Sequence, residues 1–192
     1  MGSSAKTEAN NAIAIGNGAS AKKQSDLAVG DGAKALDAQG SAFGVSATAS
    51  GNGATAIGGV TSASGWLSTS IGYLSKSAGK GAYAGGASAN ANGEGAVSVG
   101  LESTSTGKHT AALGASANAS AEAALALGAS AKASHANAVA LGANSVTKAA
   151  VASNEATVNG VYYSGFAANN AASVVSLGDA GKERQLVNVA AG

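Results

Sequence analysis

The side chains that could support acid–base, nucleophilic or metal chemistry are few in this 192-residue sequence, and they are scattered. Cysteine is absent, and the two histidines, His109 and His135, lie far apart along the chain. The acidic residues do not cluster at metal-ligand spacing. No Gly-x-x-x-x-Gly-Lys-Ser/Thr motif is present to bind a phosphate. The sequence therefore predicts no enzyme: no catalytic residue, metal site or cofactor.

One stretch carries the side chains of a protein-binding patch. Trp66 and Leu67 are followed closely by Tyr73 and Leu74, and Val60 precedes them. Exposed aromatic clusters commonly mark partner sites, so these residues are the candidate ligand-binding residues. The alternative is structural, in that they fill a gap in the packing of the chain.

The elements that position these residues follow from one period. Glycine recurs every fourteen residues without insertion or deletion, at positions called here the period glycines: Gly16, Gly30, Gly44, Gly58, Gly72, Gly86, Gly100, Gly114, Gly128 and Gly142. A fixed period of this kind indicates a repeat architecture, in which each fourteen-residue unit forms one rung.

In most rungs, apolar residues stand one and three positions before the period glycine, as in Ile13 and Ile15. A spacing of two is strand periodicity, which puts both columns on one face. We expect that face to be the core. After the glycine, alanines at the third and fifth positions flank a polar residue, and a second turn follows. The sequence thus predicts an all-β solenoid in which each rung is strand, turn, strand, turn.

The residue two positions before the period glycine is small in all ten rungs. It is expected to point away from the core, where a solvated strand normally carries larger polar side chains. Ten small residues in line instead suggest close approach of another copy of the chain, so they form the predicted self-association seam: Ala14, Ala28, Ala42, Ala56, Ser70, Ala84, Ser98, Ala112, Ala126 and Ala140.

The composition agrees with a thin, associating fold. Hydrophobic residues make up 45% of the chain, but 50 of the 192 residues are alanine, so large side chains are too few for a thick core. A net charge of +1 gives no electrostatic footprint for nucleic acid. No apolar stretch is long enough to span a membrane, so we expect any membrane anchor to lie outside this fragment.

The segments NNAIAIGNGASAKKQ and HANAVALGANS resemble the head repeats of YadA-like trimeric autotransporter adhesins, a fourteen-residue unit of the type N-S-V-A-I-G-x-x-S-x-A. The resemblance implies a left-handed parallel β-roll, a solenoid packed side by side as a homotrimer and ending in a neck. It also implies a non-enzymatic head at the bacterial cell surface, held in the outer membrane by a C-terminal part and attached to host extracellular matrix or cells. A structural spacer or fibre segment without its own ligand is the alternative function.

The C-terminal segment resumes the repeat after a break, at Val175-Ser176-Leu177-Gly178. We therefore divide the chain into residues 1–10 (expression residues or a partial preceding repeat), 11–150 (head β-roll of ten repeats), 151–172 (insertion) and 173–192 (last repeat and neck). The last segment resembles the family's neck, which implies that it locks three chains together through Lys182, Glu183, Arg184, Leu186, Val187, Asn188 and Val189.

Overall fold

The chain winds as a parallel β-roll. The computed structural model describes residues 2–166 and 170–190, and the regular elements of that part are 23 β-strands. Each rung contributes one short strand to each of two parallel sheets, so the sheets lie back to back with turns along both edges. Within the same residues, no helix is long and apolar enough to cross a membrane.

The two sheets differ in strand length. The narrow sheet consists of two-residue strands: β1 (Lys6–Thr7), β3 (Ser20–Ala21), β5 (Lys34–Ala35), β7 (Thr48–Ala49), β9 (Ser62–Ala63), β11 (Lys76–Ser77), β13 (Asn90–Ala91), β15 (Thr104–Ser105), β17 (Asn118–Ala119) and β19 (Lys132–Ala133). The wide sheet consists mainly of three-residue strands: β2 (Ile13–Ile15), β4 (Leu27–Val29), β6 (Ser41–Phe43), β8 (Thr55–Ile57), β10 (Thr69–Ile71), β12 (Tyr83–Gly85), β14 (Val97–Val99), β16 (Ala111–Leu113), β18 (Leu125–Leu127), β20 (Val139–Leu141) and the two-residue β23 (Val175–Ser176).

The register of both sheets follows the period of the sequence. Thr69 pairs with Tyr83 in the wide sheet, and Lys76 pairs with Asn90 in the narrow sheet, each fourteen residues along. The predicted all-β solenoid of fourteen-residue rungs is confirmed. With a spacing of about 4.8 Å between neighbouring strands, the ten repeats make a rod about 48 Å long.

The interior between the two sheets holds only small side chains. Apart from Asp26, every buried non-glycine residue of the described chain is alanine, serine or threonine. The sheets lie so close together that hydroxyl groups on opposite sides of the interior touch. Thr61 Oγ1 is 3.1 Å from Ser70 Oγ, which is itself 2.9 Å from Ser75 Oγ. A leucine or isoleucine side chain does not fit in a space of this depth.

The predicted orientation of the wide-sheet strands is wrong. The residues assigned to the self-association seam point into the roll's own interior, where none is more than 6% exposed: Ala14, Ala28, Ala42, Ala56, Ser70, Ala84, Ser98, Ala112, Ala126 and Ala140. The columns expected to form the core face outward instead, with Ile13 and Ile15 about half exposed. The alternation itself is as predicted, but the interior is too thin for the larger side chains, so the phase is reversed.

Asp26 is the one charged residue of the interior. Its carboxylate accepts hydrogen bonds from the backbone N–H groups of Lys22, Lys23 and Gly40, at 3.1, 2.7 and 3.0 Å. A buried carboxylate needs such donors, because an unpaired charge in an apolar interior is strongly unfavourable. Asp26 therefore ties the turn after β3 to the rung above it.

The period glycines are required for two separate reasons. Their φ angles lie between 106° and 136°, a region that other residues rarely adopt. In addition, the backbones of the first nine lie directly against the next rung: a Cβ placed on Gly72 would be 2.6 Å from the carbonyl oxygen of Gly86.

The C-terminal segment closes the roll. β23 pairs in parallel with β20, so Val175 takes the place of the next rung beside Val139. The Arg184 guanidinium donates hydrogen bonds to the carbonyl oxygens of Ala143 and Leu177, and to Ser145 Oγ at 3.0 Å. These groups lie at the end of the ladder, so Arg184 acts as a cap.

Between β20 and β23 the chain leaves the roll and forms an antiparallel hairpin of β21 (Glu155–Val158) and β22 (Val161–Ser164). Among the described strands, these two contact only each other. The turn is Asn159-Gly160, with both φ angles positive, as two-residue hairpin turns require.

We expect Gly72→Ala to lower the free energy of unfolding by at least about 3 kcal/mol, because backbone strain is combined with overlap onto the next rung. Gly81→Ala is the matched control: its φ is also positive, but a Cβ there meets nothing within 4 Å. That change should cost roughly 1–2 kcal/mol. Denaturant unfolding followed by circular dichroism measures both. Equal losses would contradict the close-approach argument.

We expect Arg184→Met to lower the free energy of unfolding by about 1–3 kcal/mol, because the last carbonyl groups lose a charged donor. Lys182→Met removes the same charge from an exposed side chain, so it serves as the control. Thermal unfolding of the two variants makes the comparison. A loss as large for Lys182→Met would show that Arg184 acts only through net charge.

Candidate interaction surfaces

The outward face of the wide sheet is a continuous apolar strip. It is formed by the two columns that flank the buried small residues, and the larger members are partly exposed: Ile13, Ile15, Val29, Phe43, Ile57, Ile71, Tyr83, Val99, Leu113, Leu127 and Leu141. Neighbouring positions compensate in volume. The Tyr83 ring lies across Gly85, where an added Cβ would be 2.9 Å from the ring. The surface of the strip is therefore flat as well as apolar.

The outward face of the narrow sheet is polar and regular. One outward residue per rung occupies the first position of each strand, in the order Lys6, Ser20, Lys34, Thr48, Ser62, Lys76, Asn90, Thr104, Asn118 and Lys132. Neighbours in this column are one strand spacing apart, about 4.8 Å. This face therefore offers a flat row of hydrogen-bonding groups.

The predicted aromatic patch is divided between the two edges of the roll, so it is not one cluster. The first edge is the row of turns that follow the wide-sheet strands, and it carries Val60, Tyr73 and Leu74. The second edge is the row of turns that follow the narrow-sheet strands, and it carries Trp66 and Leu67. These residues are close in sequence, but the strands between them place them on opposite edges of the roll.

On the first edge, the apolar residues of successive rungs are neighbours. An added Cβ on Gly59 would lie 3.3 Å from the Tyr73 ring and 4.0 Å from the carbonyl oxygen of Val45. The Val60 N–H donates to that same carbonyl at 2.8 Å. Val45, Val60, Tyr73 and Leu74, all at least 38% exposed, therefore form one apolar patch, and Val45 is a member that was not predicted from the sequence.

On the second edge, Trp66 begins a column of stacked side chains. The Lys80 ammonium lies over the Trp66 ring, 4.8 Å from its centre, and the Lys108 ammonium is 3.5 Å from the Glu94 carboxylate. Each such exposed pair contributes a few tenths to about 1 kcal/mol. The column steadies the rungs and holds the indole ring in place.

Three of the exposed apolar residues have strained backbones. The φ angles of Val60, Leu67 and Leu74 are 56°, 53° and 58°, in the left-handed region. Along both edges of the roll, the same turn positions in other rungs are occupied by glycine or by small or polar residues such as Ser46, Asn137 and Ser130. A large apolar residue in this conformation is an outlier. These three residues could have been found from the sequence, because they are large and apolar at turn positions where the other rungs carry glycine or small or polar residues.

The predicted neck residues differ from one another in their contacts within the chain. Arg184 caps its own chain, whereas the resemblance to the family's neck implies that it helps to lock three chains together. The Glu183 carboxylate accepts hydrogen bonds from backbone N–H groups of its own residue and of Gly181, which lower its pKa. Lys182 is exposed, and so are Leu186, Val187, Asn188 and Val189.

The exposed hairpin has one side-chain hydrogen bond of its own, because the Tyr162 hydroxyl donates to the Glu155 carboxylate at 2.7 Å. This hydrogen bond raises the pKa of Tyr162. Val158, Val161 and Tyr163 on the same two strands are also exposed.

The groups that could do chemistry are not brought together. In residues 2–166 and 170–190, no three His, Cys, Asp or Glu side chains converge as a metal site would require. His135 Nδ1 lies 3.1 Å from Thr147 Oγ1 near the end of the roll, whereas His109 stands on the second edge. The surfaces described above are suited to contact with macromolecules.

Comparisons with known proteins agree with this architecture. The profile of the YadA head domain repeat (2 copies) matches residues 1–19, 38–60, 105–130 and 119–145. Comparison with curated protein sequences finds no match. Among solved structures, the collagen-binding domain of the Yersinia adhesin YadA is similar to the chain, with a TM-score of 0.64 and 24% identity, over 100% of this chain and 80% of that one.

A second similar structure is the C-terminal YadA-like domain of a Burkholderia pseudomallei protein, with 40% identity over 46% of this chain and 39% of that chain, at a TM-score of 0.29. The profile match rests on the repeats themselves, and the roll follows the fold of the Yersinia domain from end to end. The repeats of this chain thus match the YadA head domain repeat, and the chain has the fold of a YadA-like head.

Proposed function

We propose that the chain works as a homotrimer in which the apolar strip of the wide sheet is buried against two other copies. The strip is about 48 Å long and, at three residues per strand, about 10 Å wide. Apolar patches of this size are at the upper end of what soluble monomers leave exposed. Covering the strip with copies of itself removes it from water along its whole length.

The thin interior is a second reason for association. Alanine and serine bury little area, so the two sheets gain little from the hydrophobic effect when one chain folds alone. The side chains with the largest apolar area are on the outside of the wide sheet. In a trimer these residues form a common core, and folding and association stabilise each other.

The function that this arrangement supports best is adhesion to host extracellular matrix or cells. With the wide sheets turned inward, the polar face of the narrow sheet becomes the broad outer surface of each copy. Its row of lysine, serine, threonine and asparagine side chains fits extended ligands that bind through repeated weak contacts. The similar Yersinia domain is itself described as collagen-binding, and matrix proteins are therefore the ligands to test first.

A membrane anchor in another part of the protein, with the head held at the bacterial outer membrane, completes the proposal. The alternative is a structural spacer that separates a binding domain from the cell. The spacer would share the roll and the trimer but would need no ligand for the narrow-sheet face. Ligand binding therefore distinguishes the two functions.

We expect the fragment to have a solution mass near three times 17.8 kDa, and Ile71→Asp to reduce that mass to one chain. An aspartate in the common core would bury an unpaired charge. Ser62→Asp on the narrow-sheet face is the control and should leave the trimer intact. Light scattering after size exclusion measures all three proteins. A monomeric native fragment would contradict the proposed trimer.

We expect the trimer to bind at least one of immobilised collagen, fibronectin and laminin in a saturable manner. The double variant Lys76→Glu with Lys132→Glu should weaken that binding at least tenfold, about 1.4 kcal/mol, while the trimer mass stays the same. Surface plasmon resonance gives both results. Absence of saturable binding across the panel would favour the spacer.

A further inference from the structure

We infer that the two apolar edges form a contact between neighbouring copies, in which Trp66 and Leu67 of one chain pack against Val45, Val60, Tyr73 and Leu74 of the next. This inference extends the proposed trimer by assigning a partner to the edges. The first observation behind it is strain. Val60, Leu67 and Leu74 hold left-handed backbone conformations that cost of order 1–3 kcal/mol each and persist only where something compensates.

Folding of a single chain supplies only part of that compensation, such as the packing of the Leu67 side chain over Gly53 of the preceding rung. The Val60, Leu67 and Leu74 side chains remain 45%, 51% and 38% exposed. Glycine at equivalent turn positions, as in Gly53 and Gly81, makes the same turn without strain. We attribute the remaining stabilisation of these apolar side chains to contacts outside the single chain.

Symmetry determines which surfaces meet. Three copies with their wide sheets around one axis place the first edge of each copy beside the second edge of the next. Such a ring is closed by heterologous contacts, which need two different patches that complement each other. The divided arrangement of the apolar residues meets this requirement, because one patch lies on each edge.

The two patches also lie at the same height along the rod. Trp66 comes six residues after Val60 and seven before Tyr73, so it is half a rung from each. With a rise of about 4.8 Å per rung, this is about 2 Å in height, less than the size of either side chain. Copies related by a three-fold axis are not displaced along it, so Trp66 faces the space between Val60 and Tyr73 of its neighbour.

The absence of cysteine from the sequence makes a cross-linking test direct. We expect oxidation of Leu67→Cys with Tyr73→Cys to give a covalent trimer on a denaturing gel. Within one chain, the extended β10 separates these positions, beyond the reach of a disulfide. Each single variant should give no covalent species, because like positions do not meet in a heterologous contact. Lys34→Cys with Asn118→Cys, on the narrow-sheet face, is the control and should remain uncross-linked.

The outcomes separate this inference from the proposed function. A native trimer without cross-links between residues 67 and 73 would overturn the edge contact alone and leave the patches free for a ligand. Covalent dimers of either single variant would overturn the heterologous arrangement. A monomeric native protein would overturn both the trimer and the edge contact.

A second test uses the strain itself. Leu67→Gly and Leu74→Gly relieve the left-handed conformations, so both would raise the Tm if these residues served only the fold of one chain. We expect the Tm of the trimer to fall instead, because the contact loses its side chains. Ala123→Gly is the control, since Ala123 has the same φ at the second edge without a large side chain, and its Tm should rise. A rise for all three variants would contradict the inference.

Discussion

The shallow space between the two sheets is the constraint on which the rest of the structure depends. Because Thr61 and Ser70 hydroxyls touch across the interior, the four inward positions of a rung are occupied by alanine, serine, threonine or glycine, with Asp26 as the exception among the described residues. The larger apolar residues are therefore placed on the outside, and on one sheet only. As a result, the apolar face of the wide sheet is on the outside of the single chain along the whole rod.

This constraint explains which part of the sequence prediction succeeded and which part failed. The fourteen-residue period and the two-residue alternation are properties of the chain, so rung, turn and strand positions could be read directly. The alternation shows that Ile13 and Ile15 share a face, with Ala14 on the other. It does not show which face is inside. The usual preference for large residues in a core gave the wrong answer, because the depth of the interior depends on all rungs together.

The candidate sites were predicted less well than the fold because they depend on relations across the roll. Trp66 and Tyr73 are close in number but lie on opposite edges, whereas Val45 and Tyr73 belong to one patch although they are two rungs apart. The hairpin could have been found locally, since Asn159-Gly160 between β-branched residues is a strong turn signal. The Arg184 cap could not, because two of its partners, Ser145 and Ala143, are about forty residues away in sequence.

The same geometry shows how a uniform repeat can carry specific information. The wide-sheet face is similar from rung to rung, and such a surface alone would allow two copies to slip by one rung with little loss. The apolar edge patches are confined to the rungs around Gly44, Gly58 and Gly72, and slippage by one rung would separate Trp66 from its partners by about 4.8 Å. The large apolar residues at a few turns thus fix the register between copies, which the uniform wide-sheet face does not determine.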